Sequence, residues 1–219
     1  MKLLILGATG RTGSQLVTQA LADGYKVRAL VRNPHKLQAD SSKIEVVAGD
    51  ATDTAAAGQA VKGADAVIVA LGGGSDLKSD LASRVARTFV PAMRDAGVGR
   101  VIILSAFGAG ETLPMAGRLD RLLNKTLLKR LFGDKAQADS VWRSSGLDWT
   151  LVYAVTLTTG PRTGDYAATK TLRARGKPTI SRADVAEFML AQVSSATWSR
   201  RTAILSRRRQ ASAHRALAG

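Results

Sequence analysis

Lys2-Leu3-Leu4-Ile5-Leu6-Gly7-Ala8-Thr9-Gly10-Arg11-Thr12-Gly13 opens the chain with an apolar run that stops at a glycine. Behind it Leu16, Val17, Ala20 and Leu21 recur at helical spacing, so the segment predicts a strand, a glycine turn and a helix. Placed between a strand and a helix, such glycines permit a tight turn, close approach of the backbone to a pyrophosphate and packing of the helix on the sheet. The helix start then offers N–H groups and the positive end of its dipole to phosphate.

Further strands are predicted at Lys26–Val31, Ile44–Val47, Ala64–Leu71, Arg100–Leu104, Trp149–Tyr153 and Thr202–Leu205. Helical patterns lie between most of them, and strands alternating with helices predict an α/β fold with a parallel, doubly wound sheet. From Ser79 to Ala96 the residues Leu81, Val85, Phe89 and Met93 form a core-facing stripe, with Gly97 as its C-terminal cap and Pro91 as a candidate kink. Beyond Ser105 the pattern changes to a loop over Gly108–Pro114, a basic helix over Met115–Phe132 and a second helix over Lys135–Ser144. Ser181 caps a last helix through Val193. Residues 206–219, SRRRQASAHRALAG, lack apolar periodicity and are expected to be a disordered tail.

The 219 residues suit one domain, and 45% hydrophobic with 22% charged residues is a globular composition. The absence of cysteine excludes disulfides, thiol nucleophiles and thiolate metal centres, and two histidines leave little for an imidazole site, so no metal is expected. The apolar run at the start is too short for a signal peptide and no stretch reaches membrane-spanning length, which predicts a cytoplasmic protein without membrane insertion. A formal net charge of +15 raises polyanions as partners. Much of it sits at Arg118, Arg121, Lys125, Lys129 and Arg130 and in the arginine-rich last twenty residues, where weak nucleic-acid binding without sequence reading is expected.

At the end of the second strand an NAD-selective site would carry an acidic side chain for the ribose 2′-hydroxyl, yet the chain has Val31-Arg32-Asn33. Arg32 cannot accept a hydrogen bond but can pair with a 2′-phosphate, with Lys36 and Arg11 near in sequence, so NADP(H) is the expected cofactor.

Taken in order, GATGRTG, LVRNPHKL, GDATD, DAVIVALG, ILSAFG, SGLDWTLV, TGDY and ISRADVAEFML resemble the atypical short-chain dehydrogenase/reductase family of NAD(P)H-binding, NmrA-like proteins, most of all its flavin reductase/biliverdin IXβ reductase group. The resemblance spans residues 1–205 and implies one Rossmann domain with a small substrate lobe from about 108–132 and 154–182. It implies that Gly7, Thr9, Gly10, Arg11, Thr12 and Gly13 form the phosphate loop and that Arg32 and Lys36 contact the 2′-phosphate. Asp50 and Ala51 match the adenine pocket, Leu71 and Gly72 the ribose side, and Ser105 and Phe107 the residues beside nicotinamide and acceptor. Many relatives carry a proline pair after the sixth strand; here Tyr153-Ala154-Val155-Thr156 stands there, leaving the backbone of Ala154 and Val155 for the carboxamide. Thr156 also replaces the histidine of biliverdin reductases.

Tyr166 and Lys170 have the Tyr-x-x-x-Lys spacing of a tyrosine general acid, but that geometry needs a helix and the segment follows Gly160-Pro161 and Gly164. The match is read as accidental. Without a tyrosine acid, hydride transfer to a flavin, quinone or tetrapyrrole-like acceptor is favoured, because the conjugated system spreads the developing charge. The competing expectation is an NmrA-like redox sensor that binds NADP(H) without turnover. A small planar acceptor is the expected partner, with the chain a monomer or homodimer.

Overall fold

The computed structural model describes residues 1–37, 41–72, 80–115, 129–172 and 177–208. The chain runs β1 (Lys2–Leu6), α1 (Arg11–Ala22), β2 (Lys26–Val31), β3 (Ile44–Ala48), α2 (Thr54–Val61), β4 (Ala66–Val69), α3 (Leu81–Asp95) and β5 (Arg100–Ala106). It continues through a 3-10 turn (Gly110–Met115) into α4 (Lys129–Ser144), β6 (Asp148–Ala154), β7 (Thr156–Thr158), β8 (Tyr166–Thr169), β9 (Thr179–Ser181), α5 (Arg182–Ala191) and β10 (Arg201–Arg207). Eight strands form one sheet in the order β3-β2-β1-β4-β5-β6-β10-β8, all parallel except the antiparallel edge pair β10 and β8. This is the expected doubly wound Rossmann-type fold. The strand order reverses between β1 and β4, and in such sheets the crevice beyond the carboxyl ends of those strands holds the ligand.

The strands read as unbroken apolar runs because helices cover both faces. Leu3, Ile5, Ile68, Ile102, Val152 and Ala203 pack with residues of α1 and α5 on one side. Leu4, Leu6, Val67, Val101, Leu151 and Ile204 pack with residues of α2, α3 and α4 on the other. Each fully buried leucine or isoleucine contributes roughly 1.5–3 kcal/mol, so the central strands form the most stable part of the sheet.

Several expectations need adjusting. The helix predicted from Ser79 begins at Leu81 and runs through Pro91; Ala96 is its cap and Gly97, at φ +69°, follows it. The N–H of Val98 bonds to the Met93 carbonyl and that of Gly97 to the Arg94 carbonyl, closing the end as a Schellman motif. The loop over Gly108–Pro114 is largely a 3-10 turn. Residues 116–128 of the basic helix lie outside the described residues, and Lys129–Phe132 belong to α4, which runs unbroken to Ser144. The tail expected over residues 206–219 starts later, since β10 pairs as far as Arg207 against Tyr166, each added residue there completing a ladder contact. Residues 209–219 lie outside the described residues.

Candidate active site

The glycine loop has the shape that its composition requires. Gly7 sits at φ +86°, and a Cβ there would lie 2.6 Å from the Ala70 carbonyl oxygen at the end of β4. A Cβ on Gly13 would come within 1.9 Å of the Gly7 carbonyl oxygen, so both positions exclude any side chain. Gly10 donates its N–H to the Gly7 carbonyl at 2.9 Å and precedes α1, which starts with no side-chain cap and no acidic residue in its first turn. Thr9, Gly10 and Arg11 are exposed, whereas Thr12 and Gly13 pack inward. Arg182, the first residue of α5, faces the same region: burial and then the charge of Arg11 hold its guanidinium below the ordinary arginine value. A side-chain-free cradle at an uncapped helix start, beside two guanidiniums, fits a pyrophosphate.

Arg32 and Lys36 flank the next strand end, both exposed and neither ion-paired among the described residues. Asp50 turns onto its own loop, where Oδ1 accepts the Thr52 N–H and hydroxyl, both at 2.8 Å. Those two donors hold its carboxyl below the ordinary value, with smaller help from Arg32 and Arg84. Ala51 beside it is half-buried. Leu71 and Gly72 continue from β4 and line a small cavity with Leu131 and Lys135.

Ser105 is buried at the carboxyl end of β5, and its hydroxyl donates to Asp139 Oδ2 at 2.9 Å. Tyr153, paired with Ser105 across the β5–β6 register, donates its hydroxyl to the same oxygen at 2.6 Å. Arg143 reaches the Tyr153 hydroxyl at 3.3 Å and pairs with Glu111 at 2.7 Å. Lys135, Asp139 and Arg143 stand four residues apart on α4, so one helix face presents all three to the sheet. Burial raises the Asp139 carboxyl, against the two hydroxyl donors and the charges of Lys135 and Arg143. Burial likewise pulls Lys135 down, against Asp139 and Asp134, although the residue keeps part of its surface exposed. Desolvation, then the charge and hydrogen bond of Asp139, push the Tyr153 hydroxyl far above the ordinary tyrosine value, so it stays protonated. Ser105, Lys135, Asp139 and Leu71 line a second small cavity.

Phe107 is half-buried, packs against both core layers and donates its N–H to the Ala154 carbonyl at 3.0 Å. Ala154 and Val155 are buried, and Val155 donates its N–H to Leu205. The Val155 N–H is therefore engaged within the fold. Tyr166 begins β8, an extended edge strand, where four residues span about 13 Å. Tyr166 instead packs edge-on against Phe188, and burial with Glu187 and Asp184 raises its hydroxyl.

The structure thus brings Ser105, Leu71 and Gly72 to the crevice beside the glycine loop. It adds residues that motif reading missed: Asp139, Lys135, Arg143, Tyr153 and Arg182. The helical spacing of Lys135, Asp139 and Arg143 was a visible signal; their target was not, since Ser105 is 34 residues from Asp139.

Residues 7–196 match the NAD(P)H-binding family, and the chain belongs to it. Among curated relatives, the protein YhfK of Bacillus subtilis (strain 168), named an uncharacterized sugar epimerase, is 32% identical over 204 residues, covering 88% of each chain. Among solved structures, ChuY, an anaerobillin reductase of Escherichia coli O157:H7, superposes with a TM-score of 0.80 at 22% identity over 94% of this chain and 97% of its own. A wide-type short-chain dehydrogenase/reductase of Veillonella parvula, solved with NADP, gives a TM-score of 0.74 at 20% identity over 94% of each chain.

Proposed function

We propose that the protein is an NADPH-dependent reductase that passes hydride to a planar conjugated acceptor of the flavin, quinone or tetrapyrrole type. The observation that carries this reading is the placement of Ser105, held by Asp139 at the end of β5, in a cavity shared with Leu71 beside the uncapped glycine cradle. The dinucleotide supplies the hydride when bound. The loop from Gly7 to Gly13 would hold its pyrophosphate, Arg32 and Lys36 its 2′-phosphate, and Asp50, Ala51, Leu71 and Gly72 the adenosine and ribose borders.

The protein's own part is orientation and proton control. While Asp139 is ionised, the Ser105 proton points at the carboxylate and the serine oxygen can only accept a hydrogen bond. When Asp139 holds a proton, Ser105 is released to donate towards a developing charge on the acceptor. Phe107 supplies a half-buried aromatic surface next to it. The place of Tyr166 on an edge strand supports reading its spacing to Lys170 as accidental, and an acceptor that delocalises charge suits that reading. The likeness to an anaerobillin reductase accords with that acceptor class.

The test follows nicotinamide absorbance with NADPH and, in turn, FMN, FAD, a quinone and biliverdin, after subtraction of the protein-free rate. Saturable oxidation with one acceptor is expected. Tight NADPH binding without oxidation across the panel would overturn the reductase reading in favour of a redox sensor. For cofactor choice, Arg32→Asp is expected to weaken NADPH binding on the order of ten- to a hundredfold while NADH binding changes little. Equal losses would remove Arg32 from the 2′-phosphate site.

A further inference from the structure

A third, larger cavity of about 370 Å³ lies on the α4 side of the sheet, walled by the 3-10 turn and by the beginnings of β6 and β10. Arg143, Trp149, Lys170, Arg200, Arg201 and Thr202 line it, and it shares no lining residue with the cavity at Ser105. Trp149 precedes Tyr153, the register partner of Ser105, by four strand residues, which is about 13 Å.

Four cations converge on this space. Arg143 is neutralised by Glu111 and lies 5.9 Å from the centre of the Trp149 ring. Lys170, Arg200 and Arg201 are exposed and make no ion pair among the described residues. Arg200 donates to the Gly146 carbonyl at 2.9 Å and Arg201 to the Thr197 carbonyl at 3.4 Å, contacts that orient the guanidiniums without cancelling their charge. Arg200 also stands at φ +50°, the one non-glycine residue at positive φ among those described, pinned by its N–H to the Trp149 carbonyl at 2.8 Å. Glycine would take that conformation with less strain than arginine.

We propose that this cavity binds a small planar organic anion carrying at least two negative charges. Its ring rests against the half-buried Trp149, its charged groups meet Lys170, Arg200 and Arg201, and the Thr202 hydroxyl completes the polar edge. Its volume of about 370 Å³ lies in the range of small-molecule pockets. An anion there would meet three cations that make no ion pair among the described residues.

The probe is pyrenetetrasulfonate, titrated into the full chain by fluorescence anisotropy with and without saturating NADPH. One probe should bind per chain at the same affinity in both conditions. Lys170→Ala and Arg200→Gly should each weaken it about tenfold, the loss of one charge-assisted contact. Arg200→Gly removes the strained residue, so its thermal midpoint should be equal to or higher than that of the parent, and weaker binding then cannot be ascribed to unfolding. Unchanged affinity in both variants would overturn the proposal, as would displacement of the probe by NADPH. Displacement by a single-stranded oligonucleotide at far lower concentration, with a steep salt dependence, would replace the small anion by a polymer and equally overturn it.

Discussion

Asp139 is a buried carboxyl whose two hydroxyl donors come from different strands, and its proton is held more tightly in the fold than in the unfolded chain. The stability contributed by the protonated form is therefore fully present below the ordinary value of 3.8 and is lost as pH rises through the raised value in the fold. Asp139→Asn, which never ionises, should flatten the pH dependence of stability over that interval, measured by urea unfolding at a series of pH values. A slope equal to that of the parent would place the titration on another group. The glycine loop belongs to the same scale and was readable directly, because a turn that leaves no room for Cβ at Gly7 and Gly13 can be written with one residue type.

At the scale of elements, α3 shows how a helix end is completed by a distant part of the chain. Asp80, the N-cap residue before Leu81, makes no side-chain cap; instead Asp134 on α4 accepts the N–H groups of Ala82 at 2.8 Å and Ser83 at 2.9 Å. Asp134→Ala should cost about 1 kcal/mol in denaturant unfolding. Asp80→Ala removes an exposed 3.8 Å pair with Arg84 and should change stability by a few tenths of a kcal/mol. A larger effect at Asp80 than at Asp134 would reverse the assignment. The apolar stripe of α3 and a glycine at its C-terminal end were legible from spacing. The cap was not, because the two residues it joins are 52 positions apart.

For the whole molecule, charge and chain ends set the expectations. The net charge of +15 is spread unevenly, with the arginine-rich end following directly on β10. Since Ser206 and Arg207 complete the sheet edge, removal of the tail should begin after Arg208. A chain ending there should lose retention on DNA at low salt while keeping its NADPH affinity. Undiminished retention would move the nucleic-acid contact to the folded surface. No helix among the described residues is long and apolar enough to cross a membrane.

Local pattern alone determined the doubly wound class, the glycine cradle, the glycine that ends α3 and the serine-capped last helix, because each depends on residues within a few positions of one another. Ser181 indeed accepts the Asp184 N–H at 2.9 Å. Only the tertiary structure decided that Ser105 is tied to Asp139, that Asp134 caps α3, and that Lys170 shares a cavity with Arg200 and Arg201. Those contacts join positions separated by tens of residues. Their energies depend on burial and on which groups the crossing strands bring opposite one another, quantities that exist only once the sheet has assembled.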